Sequence, residues 1–180
     1  MTFQEQIKNE TKVNHDAAEQ HEFNTQLMSG ILPDQKYYLY LKNIVPIYDY
    51  IEKRLGFTGE LIRSTLVYND ISAYAKFGCT NGPSNYFVYD WMATLAQKSD
   101  DMLLSEVYVE WLKDVYGGQM ISKQVRYGSH LKFNNVKDTI GKIRMRLSLP
   151  FDKEKDFIFE INRTYVNHYN LYDSIMYGEK

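Results

Sequence analysis

The sequence predicts an all-α fold, with one domain over residues 1–180. Three observations carry this reading. Apolar residues recur at three- and four-residue spacing through most of the chain. The four prolines and ten glycines fall mostly between the stretches with that spacing. No strand-like alternation bounded by hairpin turns interrupts them, and no linker, internal repeat or low-complexity tract divides the chain.

Taken in order, residues 2–28 read as a first helix that closes at Ser29-Gly30. The chain restarts near Pro33-Asp34, where Asp34 is an expected N-cap. Tyr37, Leu41, Ile44, Val45, Tyr48 and Ile51 then make an apolar stripe as far as Leu55-Gly56, with Pro46 expected to kink it. A third segment covers 59–76, and the stretch FGCTNGPSN is the clearest loop. Helical spacing resumes over 85–98, 100–128 and 134–147. The stretch LPFDKEKD reads as a turn and a fresh N-terminus, and 152–176 as the last helix.

Composition excludes several classes of function. A net charge of −2 with dispersed Lys and Arg gives no general attraction for nucleic acid. No run of about 18 apolar residues offers a membrane span, and no basic start leads into an apolar run, so a cytoplasmic location is expected. The single cysteine, Cys79, cannot form an internal disulfide or a haem-attaching C-x-x-C-H motif. The 16 tyrosines suit half-buried helix faces, with the ring packed and the hydroxyl wet.

Two stretches carry the candidate chemistry. On the first helix Lys8, Lys12, His15 and Glu19 are spaced four, three and four residues apart, so they share one face. His21 lies off that face. Imidazole is a common iron ligand and lysines supply point charges, so the group suits a flat ligand with a metal centre and carboxylates at its edge. Taken singly, these residues are also compatible with a solvated face or a core histidine. The second stretch, VYVEWLKDVYGGQMISKQV, keeps helical spacing across Gly117 and Gly118. Each glycine inside a helix costs about 1 kcal/mol relative to alanine. The pair therefore marks either a helix end or a place where something flat approaches the backbone, with Asp114 facing the same space.

These residues resemble the haem oxygenases that form biliverdin, over nearly the whole chain. The family's proximal helix carries two lysines, the proximal histidine and a glutamate, matched by Lys8, Lys12, His15 and Glu19. Its distal helix carries Tyr-x-x-Tyr-Leu-Gly-Asp-x-x-Gly-Gly-Gln, matched from Tyr108 to Gln119. Tyr48 matches the tyrosine of the distal hydrogen-bond network, Lys142 a basic partner of the propionates, and Tyr165 an aromatic that packs on the haem.

The resemblance implies a helical bundle with haem b, as substrate and cofactor, between the N-terminal proximal helix and a kinked Gly-Gly distal helix. The implied reaction is haem plus three O₂ and seven electrons giving biliverdin, CO and Fe²⁺, with electrons from a partner such as a ferredoxin or a reductase. His15 is then the iron ligand, Glu19 its orienting neighbour and Asp114 the anchor of proton-delivering water. Gly117 and Gly118 crowd the bound oxygen toward one meso carbon. Two departures from the pattern matter. Lys113 replaces the first glycine of the distal motif, with its side chain expected to point outward, and Glu110 stands where relatives often carry arginine.

A haem carrier or sensor of the same fold is the alternative that Lys113 keeps open. A di-iron oxidase is disfavoured because no histidine has Glu three residues before it. A thiamin-degrading enzyme needs a cysteine nucleophile, and Cys79 lies in the expected loop. A helical interaction protein has little reason to keep two glycines inside a helix.

Overall fold

A computed structural model describes residues 2–82, 85–147 and 153–178. Among these the chain is helical, with eight α-helices and no strand. They are α1 (Phe3–Glu19), α2 (Glu22–Met28), α3 (Asp34–Leu55), α4 (Ser64–Phe77), α5 (Tyr86–Gln97), α6 (Asp100–Ile121), α7 (Val136–Arg146) and α8 (Glu154–Tyr177). Short 3-10 turns at Gly59–Leu61 and Ser129–Leu131 precede α4 and α7. The last helix organises the bundle: α8 packs along α1 and α6, and also meets α2, α3 and α5. Its inward stripe, Phe157, Ile161 and Leu171, joins Leu41, Ile44, Tyr48 and Ile51 of α3 and Leu103, Val107 and Trp111 of α6 in one core. The polar end of Trp111 is satisfied there, because its indole N–H donates to the Leu61 carbonyl at 2.8 Å.

Four boundaries differ from the sequence expectation. The first helix breaks at Gln20–His21, where His21 becomes the N-cap of α2 and its Nδ1 accepts the Phe23 N–H at 3.0 Å. His21 Nε2 lies 3.1 Å from Asp173 on α8, which holds the break in place. Pro33, not Asp34, is the cap position of α3, and the Asp34 carboxylate instead receives Arg126 at 2.6 Å. The helix expected over 100–128 ends at Ile121, where Ser122 Oγ turns back to the Gln119 carbonyl and the Tyr127 N–H is taken by the Tyr74 hydroxyl.

The segment expected over 59–76 divides at Ile62–Arg63. Here the buried Glu52 carboxylate of α3 accepts the N–H groups of Arg63 and Ser64, at 2.6 and 2.9 Å. Helix α4 therefore begins on an acceptor supplied by another helix, since Arg63 makes no side-chain cap bond. Pro46 sits inside α3, which continues past it to a left-handed Gly56 at φ 62°. The turn expected in LPFDKEKD lies mostly outside the described residues, as do Pro83 and Ser84 of the FGCTNGPSN loop.

Candidate functional site

The proximal group forms on the exposed side of α1. The His15 ring meets Tyr165 of α8 edge-on, with centroids 5.4 Å apart. Its Nδ1 is 3.2 Å from Asp16 Oδ1 and 3.8 Å from Glu19 Oε2. The donor atoms of His15, Asp16 and Glu19 lie within 4.8 Å of one another. Asp16 is thus the nearer carboxylate, and sequence reasoning passed over it. The signal was its place four residues after Lys12, whose ammonium it receives at 2.5 Å. Lys8 is exposed on the same helix. Lys142 stands apart on α7, paired at 2.6 Å with Asp138 one turn before it.

Tyr165 lies between the two halves of the site. Burial pushes its phenol well up, and the groups that act on it include Tyr108, Glu110 and Lys113 of α6 and Glu19 of α1. Tyr108 is itself raised, first by burial and then by Tyr116.

The distal group is buried. Along α6, Glu106, Glu110 and Asp114 recur every four residues, which puts three carboxylates on one inward face, at 0%, 0% and 2% exposure. Such charges persist inside a protein only when paired and hydrogen-bonded. Glu106 receives Lys98 at 2.7 Å. Asp114 Oδ2 accepts the Tyr48 hydroxyl at 2.7 Å, and the same hydroxyl lies 3.4 Å from Glu110 Oε2. Burial, and then the Asp114 charge, holds the Tyr48 phenol well above its ordinary value, so it remains a donor.

Glu110 is bound from two sides. His168 Nε2 of α8 contacts its Oε1, and the Lys113 ammonium sits 2.7 Å from its Oε2. Burial would raise the Glu110 carboxyl, but His168 and then Lys113 outweigh it and hold the group down at about 2. Lys113 does not point outward. Its Nζ also bonds the Tyr40 hydroxyl at 2.7 Å and approaches Asp114 Oδ1 to 3.9 Å. Burial opposes its charge, yet Glu110, Tyr40, Tyr48 and Asp114 together raise it well above an ordinary lysine. The outward expectation fails because it weighed only the solvation of the ammonium, whereas α3 and α6 supply three oxygens inside. Tyr40 and His168 belong to this network, and nothing local in the sequence marked either.

The two glycines differ in what they face. A Cβ on Gly118 would lie 3.2 Å from the Leu131 Cβ and carbonyl, so this glycine admits the turn before α7. A Cβ on Gly117 would meet only Ile121, at 3.8 Å, so its backbone borders open space on the turn after Asp114.

Residues 1–138 match the family model for "Heme oxygenase". Among solved structures, haem oxygenase from Leptospira interrogans superposes with a TM-score of 0.82 at 17% identity, covering 97% of this chain and 100% of that one. Haem oxygenase-1 of Synechocystis sp. PCC 6803, in complex with haem, gives 0.79 at 16% identity over 97% of this chain and 92% of that one. Haem oxygenase-2 of the same cyanobacterium, in complex with haem and NO, also gives 0.79 at 16%, over 97% and 85%. No curated protein matches by sequence. Because the family model covers more than half of the sequence, the chain belongs to the haem oxygenase family.

Proposed function

We propose that this protein cleaves haem b to biliverdin, CO and ferrous iron, using O₂ and electrons from an external ferredoxin or reductase. The observation that carries the proposal is the buried Tyr48–Asp114 hydrogen bond one turn from the open backbone of Gly117. A charged acceptor and a fixed hydroxyl donor there provide a place to hold a proton beside a flat ligand. The family membership and the haem held by a structural neighbour support the choice of ligand.

The residues present fit that group. His15 offers a ring nitrogen from an exposed imidazole whose Nδ1 is turned toward Asp16 and Glu19, so a carboxylate fixes the ring while Nε2 serves the iron. Lys8 and Lys12 lie toward the N-terminus of His15 on the same helix face, where their ammonium groups receive carboxylates. Lys142 supplies a further cation from α7. Tyr165 and Tyr108 give aromatic walls.

Haem, when bound, supplies the iron that activates dioxygen and the ring that is opened. This chain does the rest. His15 holds the iron, and the lysines orient the ligand through its carboxylates. Gly117 allows close approach of α6, whereas Gly118 keeps α6 seated on Leu131. Tyr48 keeps its proton at Asp114 Oδ2, and Asp114 holds water at its remaining oxygen lone pairs. Lys113, 3.9 Å from Asp114 Oδ1, is the observation that favours a second reading, a haem carrier or sensor without turnover.

The deciding experiment follows the absorption spectrum of the haem-loaded protein after an electron donor is added in air. Loss of the haem bands with appearance of biliverdin is expected. Stable binding without product supports the carrier.

A further inference from the structure

Five buried polar atoms find no hydrogen-bond partner among the described residues. Two of them, Arg63 Nε and Glu160 Oε2, stand aside, the latter within 2.6 Å of the Lys98 ammonium. The other three are Trp91 Nε1 of α5, Glu106 Oε2 of α6 and His168 Nδ1 of α8. Trp91 and His168 are neighbours, and Glu106 is linked to His168 through Glu110 and Thr164. The Trp91 and His168 rings meet edge-on with centroids 5.1 Å apart. Glu106 sits one turn from Glu110, which His168 contacts, and beside Thr164, which sits one turn from His168. Thr164 cannot supply Glu106 fully, because its hydroxyl donates to the Glu160 carbonyl at 3.0 Å. All three residues are nine-tenths or more buried, at 2%, 0% and 2% exposure. An unmet polar atom in such a place is costly, so three together call for an occupant.

We propose that the α5–α6–α8 interior holds one fixed water molecule bound by Trp91, Glu106 and His168. The chemistry of the three atoms defines it. Indole Nε1 only donates and a carboxylate oxygen only accepts. Nε2 of His168 faces the Glu110 carboxylate and carries a proton toward it, which leaves Nδ1 to the water. A water accepts from Trp91 and donates to Glu106, and its contact with His168 completes the three bonds usual for an internal water. This water keeps the His168 ring from rotating about its Cβ–Cγ bond. Through His168 it holds Glu110, and through Glu110 the Lys113 ammonium stays on Tyr40 rather than closing the 3.9 Å gap to Asp114 Oδ1. Trp91 and His168 are thus positioning residues for the distal carboxylate.

The site goes beyond the haem reading and stands whether or not haem is opened, so it is tested in the full chain without ligand. In ¹⁵N-labelled protein the Trp91 indole N–H shows a dipolar cross-peak to a long-lived water, whereas the Trp111 indole, bonded to Leu61, shows none. Trp91→Phe keeps a ring and removes only the donor. In that variant the His168 Nδ1 resonance shifts as its water partner is lost. A wild-type Trp91 indole without a water contact overturns the proposal, and so does a His168 Nδ1 resonance that Trp91→Phe leaves in place.

Discussion

The Lys113 ammonium lies 2.7 Å from Glu110 Oε2, one helical turn away on α6. These are two positions at which the distal helix departs from the sequences it resembles, and each is the other's partner. A buried carboxylate without a cation, or a cation without that carboxylate, is a poor arrangement, whereas the pair is tolerable.

Breaking the pair from one side is therefore costly. Lys113→Met leaves Glu110 with His168 as its one cation and should destabilise the fold by about 3 to 5 kcal/mol. Lys113→Met combined with Glu110→Gln should recover much of that loss in urea denaturation. Additive single and double effects would show that the pair is not coupled.

Acid tests the same carboxylate. Glu110 is held at about 2 in the fold, below an ordinary glutamate at 4.5. A lowered folded value means that its contribution is fully present above 4.5 and drains away as the pH falls toward 2. Buried Glu106 works in the opposite sense: its value is raised, first by burial, so it costs stability as the pH rises above 4.5. Unfolding midpoints measured from pH 2 to 7 should fall on the acid side in the wild type. The slope below 4.5 should be shallower in the Lys113→Met, Glu110→Gln double variant.

The two glycines should separate function from packing. Gly117→Ala adds a methyl group in open space and should gain about 1 kcal/mol of helix propensity while weakening haem binding. Gly118→Ala presses on Leu131 and should lose about 1 to 3 kcal/mol. Denaturation curves and haem titrations of both variants check the pair, and equal effects on stability would refute the distinction.

The histidines divide in a similar way. His15→Ala should lose the axial-ligand spectrum of bound haem and recover part of it with added imidazole. His21→Ala should keep that spectrum and lose about 1 kcal/mol, because His21 caps α2. Loss of the axial ligand in the His21 variant alone would reverse the assignment.

What the sequence made legible was whatever depends on one helix at a time. The face shared by Lys8, Lys12, His15 and Glu19 follows from the 3.6-residue period. So does the run of Asp114, Gly117 and Gly118 along α6. The all-α class followed from the same spacing. Contacts between helices stayed hidden. Histidine is not a usual N-cap, and the Asp173 that steadies His21 stands 152 residues away. The Lys113 side chain turns inward because of Tyr40, 73 residues earlier on α3, and Glu110 is tied down by His168, 58 residues later on α8. Neither partner leaves a trace in local periodicity.

The carboxylate that Glu52 extends from α3 to the first amides of α4 ties the opening of one helix to the other. Helix α4 cannot keep its first turn closed once α3 frays near Glu52, since no side-chain cap is formed by Arg63. In native-state hydrogen exchange the amides of Arg63 and Ser64 should open together with the C-terminal turn of α3, as one cooperative unit that joins two helices across a 3-10 turn.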